Sequence, residues 1–209
     1  MIHPKTELQF INPHIGYGIF ATENIPMGTI VYIKDHFEVE ISPRQFSKLD
    51  SIHQAIAEKY SYIDPRGVRI ISWDNAKYVN HRCEPSTMST GYGFEIAIRD
   101  IARGEEITDE YGMFNIPYEF NVDCGCTNCR KVLKPDDLDT YAVQWDNMVI
   151  PALQAVTEVK QPLWDLLDMQ TRTRLMEYLG GSSEYVSVST LKWNKAVKQV
   201  ARRTREKVL

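Results

Sequence analysis

The sequence predicts a mostly β domain followed by an all-α extension, and three observations carry that expectation. Between residues 8 and 112, short runs alternate apolar with polar residues or are β-branched, bounded by Gly and Pro. Three of the four cysteines crowd into residues 124–129. Beyond Pro135 the texture changes to longer runs that read as helices. The expected division is therefore 8–115, 116–131 and 135–209.

Each element follows from local chemistry. GIFATENI (18–25), GTIVYIKD (28–35) and HFEVEI (36–41) read as strands. A helix is expected over 43–58, with Ser42 as its cap and Pro43 at its first position. Strand signals resume at GVRIIS (67–72) and GFEIAI (93–98), and GEEIT (104–108) reads as a turn entering a strand. Residues 136–149, 151–160, 162–179 and 189–207 read as helices, with Gly180-Gly181 breaking the run before the last. In that last segment Trp193, Val197, Val200, Thr204 and Val208 share one face, while Lys195, Lys198, Arg202 and Arg205 lie mostly elsewhere.

Composition bounds the class. The 209 residues are 43% hydrophobic and 25% charged, an ordinary globular balance. No run approaches the roughly 20 apolar residues of a membrane span, and MIHPKTELQF lacks the pattern of a signal peptide. No membrane partner is expected. The expected location is intracellular, cytoplasmic by default, with delivery into another cell's nucleus left open. Crowded cysteines in a reducing compartment favour a metal over a disulfide. Net charge is −4, yet residues 190–209 hold seven Lys/Arg and one Glu. The acidic remainder suits a cationic partner, although a solvated surface explains it equally well. No groove-reading motif supports nucleic-acid recognition.

Four short motifs carry chemistry. In GYGIFA (16–21), two glycines one residue apart let backbone approach a ligand, but the pair lacks the spacing of a dinucleotide fingerprint. YVNHRCEPS (78–86) sets Asn80, His81 and Cys83 ahead of a proline. GEEITDEYG (104–112) places Tyr111 after two acids and before glycine, and CGCTNCR (124–130) supplies the remaining thiols. Taken singly, they also read as a turn, a polar bend, a packed tyrosine and a loop.

In this order and spacing, GYGIFA, VNHRCEPS, IRDIARGEEITDEYG and CGCTNCR resemble the SET-domain family of protein lysine methyltransferases, over about residues 8–131. The resemblance implies small antiparallel sheets around a pseudoknot, in which the NHRC-like and EYG-like segments thread together. It also implies S-adenosylmethionine held by Asn80 and His81, with Gly16, Tyr17 and Gly18 on another side. Tyr111 takes the place of the catalytic tyrosine, orienting amine and methyl rather than acting as a base. Tyr60, Tyr62, Asp109 and Phe114 are the weaker substrate-channel candidates, and for the three aromatics ordinary packing is the plainer reading. Cys83, Cys124, Cys126 and Cys129 become zinc ligands.

Two departures stand out. Asp109 occupies a position, two residues before the tyrosine, where many members carry an aromatic that helps set how many methyl groups are added. The cluster reads C-x-C-x2-C rather than C-x-C-x4-C, so a gapless match to NCR puts Val122 at the first ligand place and Cys126 between ligands. The absence of an EYxGE pattern suggests a compact bacterial-type member. The expected function is S-adenosylmethionine-dependent methylation of a lysine in a basic protein, histone-like or ribosomal. The rivals are a silent SET-like peptide- or cofactor-binding module and a structural zinc scaffold. The helical extension is a candidate homodimer surface.

Overall fold

The computed structural model describes residues 1–193. The helix expected at 189–207 therefore falls mostly outside the described residues. Where it was to begin, the chain instead makes a short 3-10 turn at Val188–Leu191.

The described chain is mostly β, in small sheets. Strands β1 (Thr6–Asn12) and β2 (Gly16–Ala21) form an antiparallel hairpin. There follow β3 (Ile30–Ile33) and β4 (Val39–Ile41), then helices α1 (Pro43–Phe46) and α2 (Ser51–Tyr60). Short strands β5 (Ser61–Ile63), β6 (Arg69–Ile71), β7 (Asn80–His81), β8 (Thr87–Ser89), β9 (Phe94–Ala97) and β10 (Glu106–Asp109) come next. The small strands β11 (Phe120–Asn121) and β12 (Val132–Leu133) bracket the cysteine segment. Two helices, α3 (Asp137–Gln154) and α4 (Met169–Leu179), complete the described chain. The sheets run β1-β2-β10-β7, β3-β9-β8, β4-β6-β5 and β11-β12. The β10/β7 pair is parallel and all the others are antiparallel.

The helix expected over 43–58 is two helices. Ser42 does form a capping box with Gln45, but Asp50 then offers its carboxylate to the His53 N–H (3.0 Å) and starts a new helix. Conversely, the break expected at Pro151 does not occur. Proline removes one N–H and crowds the preceding turn, at about 3 kcal/mol in a helix interior. Here it sits in the last turn of α3, where Val149, Ala152 and Leu153 are fully buried, and that burial holds the helix together. In the 162–179 run, a 3-10 turn at Trp164–Leu166 precedes α4, which Asp168 caps through the Thr171 N–H.

The helical part shares a core with the sheets. Ile30, Ile33, Met88, Phe94 and Ile96 from β3-β9-β8 pack against Leu138, Trp145, Val149 and Leu153 of α3. A smaller cluster, including Ile19, Ile25, Val31, Ile101 and Ile107, sits between the first two sheets. Gln161 stitches the helical part to the strands: its Nε2 donates to the Gly28 carbonyl (2.7 Å) and its Oε1 accepts the Ile30 N–H (2.9 Å). Gly28 itself is left-handed (φ +89°), and a Cβ there would lie 2.8 Å from Ala155 Cβ and 2.9 Å from its carbonyl carbon. Gly28→Ala is expected to cost about 2 kcal/mol or more, from strain plus collision with backbone, in denaturant unfolding. A loss near zero would mean this junction yields.

Candidate active site

The parallel pairing of β7 with β10 sets Asn80 beside Thr108 and His81 beside Asp109. Buried hydrogen bonds lock it. The Thr108 carbonyl accepts from the Ser86 N–H (3.1 Å) and the Thr87 hydroxyl (3.0 Å), and the Thr108 N–H donates to Ser86 Oγ (2.9 Å). The Arg82 N–H donates to the Asp109 carbonyl (3.1 Å). The NHRC and EYG segments, 30 residues apart in sequence, are thereby laced together, as the resemblance implied.

Tyr111 opens a 3-10 turn just after β10. The Glu110 carboxylate caps that turn by accepting the Gly112 N–H (2.8 Å). Gly112 allows the turn to sit on α3, because a Cβ would stand 3.0 Å from Asp137 Oδ2 and from the Trp145 ring. The Tyr111 hydroxyl donates to the Val79 carbonyl (2.6 Å), and its ring lies 5.4 Å from His81 and 5.6 Å from Phe114. Burial, then the charges of Asp109, Glu95 and Glu106, push its phenol above the ordinary range. It is a neutral hydroxyl with a fixed direction, unsuited to removing a proton.

The glycine motif and Asn80 meet. Asn80 Nδ2 donates to the Tyr17 carbonyl (3.0 Å) and to Glu106 Oε1 (2.8 Å). Gly18 permits this approach, since a Cβ there would fall 2.6 Å from Glu106 Oε1 and 3.0 Å from Asn80 Nδ2. Gly16 is left-handed (φ +88°) with open space where its Cβ would point. Tyr17 is half exposed and packs edge-on to Phe10 and Tyr78. The His81 ring touches both the tyrosine turn and the cysteine cluster. Its Nδ1 accepts the Tyr111 N–H (3.3 Å), and its Nε2 lies 3.3 Å from Cys83 Sγ. Burial, with Arg130 nearby, draws His81 down to about 4, so the ring is neutral.

On the other side of Tyr111 lies a cavity of about 520 Å³, lined among others by Tyr60, Tyr62, Glu95, Asp109, Tyr111 and Phe114. All four weaker channel candidates thus share one cavity with the tyrosine. Tyr62 and Phe114 pack at 5.4 Å, and burial pushes the Tyr62 phenol up. Asp109 is 1% exposed: Oδ1 accepts the Glu110 N–H (2.7 Å), while Oδ2 has no hydrogen-bond partner among the described residues. Burial and the adjacent Glu95 hold its carboxyl well above the usual range, and burial likewise raises Glu95.

The four cysteines converge despite their altered spacing. Their sulfurs all lie within 4.8 Å of one another, with Cys124 at 3.0 Å from Cys126 and 3.4 Å from Cys129. Four thiols at such separations fit one tetrahedral ion with metal–sulfur bonds near 2.3 Å. Val122, which a gapless match put in a ligand place, offers only its carbonyl to Cys129. Arg130 joins the cluster to the tyrosine turn. Its N–H donates to Cys83 Sγ (3.4 Å), and its guanidinium reaches Glu110 and Asp137 and covers the Tyr141 ring.

Residues 16–112 match the family model of the SET domain. The Variant-silencing SET domain-containing protein of Plasmodium falciparum is 31% identical over 54% of this chain. The Caenorhabditis elegans protein named "Probable histone-lysine N-methyltransferase set-23" is 31% identical over 56%, and ASHH4 of Arabidopsis thaliana, of the same enzyme designation, is 25% identical over 68%. The chain spans 5%, 55% and 43% of those relatives' respective lengths. A solved structure of KRYPTONITE, in complex with mCHG DNA and SAH, aligns over 62% of this chain and 29% of its own, at 21% identity and a TM-score of 0.42. Among the described residues, no helix is long and apolar enough to cross a membrane.

Sequence reasoning missed Glu95, Glu106, Arg130 and the Val79 carbonyl. Only Glu95 left a signal, as an acid in the middle of the apolar run GFEIAI. The acid pair has a thermodynamic consequence. Both carboxyls are raised on folding, so the folded chain binds more protons than the unfolded one. Their contribution is complete below the unfolded values near pH 4 and is lost as pH rises through the folded ones. Asp109→Asn is therefore expected to gain stability relative to wild type as pH rises from 5 to 8, by up to about 1.4 kcal/mol per pH unit in urea unfolding. A difference that does not change with pH would contradict the shifts.

Proposed function

We propose that this chain is a protein-lysine N-methyltransferase that uses S-adenosylmethionine. The observation that carries the reading is the position of Tyr111. Its hydroxyl is tied to Val79, with the Gly16–Gly18 and Asn80–His81 group on one side and a cavity lined by Tyr60, Tyr62 and Phe114 on the other. A donor held at the first and an amine entering through the second would meet beside one oriented phenol. The SET-domain match and the enzyme designation of two relatives support it.

The residues fit the donor's needs. Gly16 leaves open space, the Tyr17–Gly18 backbone is braced by Asn80, and the neutral His81 brings no competing positive charge. When bound, S-adenosylmethionine supplies an electrophilic methyl group on a cationic sulfur. Tyr60, Tyr62 and Phe114 would enclose the aliphatic stem of a lysine and exclude water. Tyr111 would orient the amine by its hydroxyl oxygen while Val79 fixes the phenolic hydrogen. The acidic body of the chain supports a basic-protein substrate, histone-like or ribosomal.

The cysteine cluster serves in this reading as a post-SET-like zinc knot. Zinc would hold Cys83, and through Arg130 would steady Glu110 beside Tyr111. Elemental analysis of purified protein is expected to give one zinc per chain, lost in Cys126→Ser. Metal-free protein with unchanged melting would remove the knot from the account.

The function is tested by methyl transfer from labelled S-adenosylmethionine to core histones and to ribosomal proteins. Tyr111→Phe is expected to lower the rate roughly a hundredfold, with donor affinity measured by calorimetry nearly unchanged. A folded wild-type protein that takes up no donor would refute the proposal.

A further inference from the structure

The inference rests on the reading above and concerns the floor of its channel. β9 is the central strand of its sheet, with Tyr32 of β3 and Ser89 of β8 opposite Glu95. Glu95 lines the 520 Å³ cavity together with Asp109 and Tyr111. It also lines a second cavity of about 460 Å³, which shares Tyr62 and Phe114 as walls and extends toward Lys34 and Arg174. Asp109 comes from β10, buried, with one carboxyl oxygen unpartnered. A buried carboxyl oxygen without a partner marks a place that a ligand's donor can complete. Two adjoining carboxyls, Asp109 buried and Glu95 half-buried, resist ionising together. Tyr32 and Tyr62 face the pair as neutral phenols. Glu38 lies behind Tyr32, whose hydroxyl donates to it, and the amino terminus lies near Glu38. Glu58, Lys59, Arg69 and Lys77 also line the cavity, and among the described residues no Lys or Arg side chain forms an ion pair with either acid.

We infer that Glu95, seated beside Asp109 at the end of the channel, receives the charged amino head of the substrate lysine and takes the proton that the amine must lose. Asp109 keeps its proton and directs the negative charge to Glu95. The step balances. One N–H bond of the ammonium breaks, its electron pair stays on nitrogen, and the proton forms an O–H bond on Glu95. A charged ammonium and a carboxylate become a neutral amine and a neutral acid. Beside Asp109, which is 1% exposed, the neutral pair is favoured because two charges there would be poorly solvated. The amine is then free to accept a methyl group. The proton leaves by the second cavity, which Glu95 also touches, so the acid resets without passing back through the substrate.

This assigns Asp109 a part that an aromatic in its place could not play. It also answers the orientation-only role of Tyr111, whose phenol is too weak an acid to serve as the proton acceptor.

The test separates the floor from the methyltransferase reading. Binding of n-butylamine, a lysine side-chain mimic, and of uncharged 1-butanol is measured by ligand-observed NMR. Wild-type protein is expected to prefer the amine at least tenfold. Glu95→Gln is expected to abolish the preference, and Glu95→Asp to restore part of it, with melting curves confirming the fold. In methyl transfer to core histones, Glu95→Gln is expected to lose more than tenfold in rate at pH 7 and to recover as pH approaches the lysine's own value of about 10.4. Equal binding of amine and alcohol by wild type, or an unchanged pH–rate profile in Glu95→Gln, would overturn the inference. If wild type shows the amine preference but transfers no methyl group, the cation-binding floor stands and the methyltransferase reading falls.

Discussion

Two residues of parallel strand hold the site together. β7 is only Asn80–His81, and it lies against Thr108–Asp109 of β10 because Thr108 spends its N–H and its carbonyl on Ser86 and Thr87. These groups are buried, so water cannot take their place, and breaking one would leave its partner unsatisfied. From this pairing the rest follows. Asn80 reaches back to Tyr17, His81 reaches forward to Tyr111, and Tyr111 reaches across to Val79. Each bond joins segments remote in sequence, so no local rearrangement can move one catalytic candidate without the others.

The surrounding architecture supports that junction from two directions. The cysteine segment presses on it through His81 and Arg130, and α3 presses on it through Asp137 and Trp145 beneath Gly112. The helical part therefore does more than extend the domain: its first turn forms the bed on which the tyrosine turn rests. Arg130 is the common member, bonded to the cluster, to Glu110 and to α3 at once. Its backbone N–H takes the Cys83 sulfur, and its guanidinium reaches the two carboxylates with separate nitrogens, as a lysine's point charge would not.

Much of this was legible in the sequence, and the failures have physical causes. The glycines of GYG, the NHRC stretch and EYG were readable because each imposes a backbone or side-chain demand that few residue types meet. The convergence of four cysteines survived the changed spacing, with all four sulfurs within 4.8 Å of one another. The helix through Pro151 was not readable, since burial of its last turn, a tertiary effect, outweighs a local rule. The second helix at Ser51 was missed because Asp50 was not recognised as a cap. Glu95 stands in an apolar strand, and only the topology that puts β9 at the centre of its sheet shows what it faces.

The central claim is that the glycine motif, the Asn80–His81 pair and the Tyr111 turn form one binding surface for a single small molecule. Hydrogen exchange measured with and without S-adenosylhomocysteine tests it most directly. The account predicts that amides of residues 16–18, 80–82 and 111–112 gain protection together and to a similar degree. Protection confined to one of these segments, or none at saturating ligand, would contradict it.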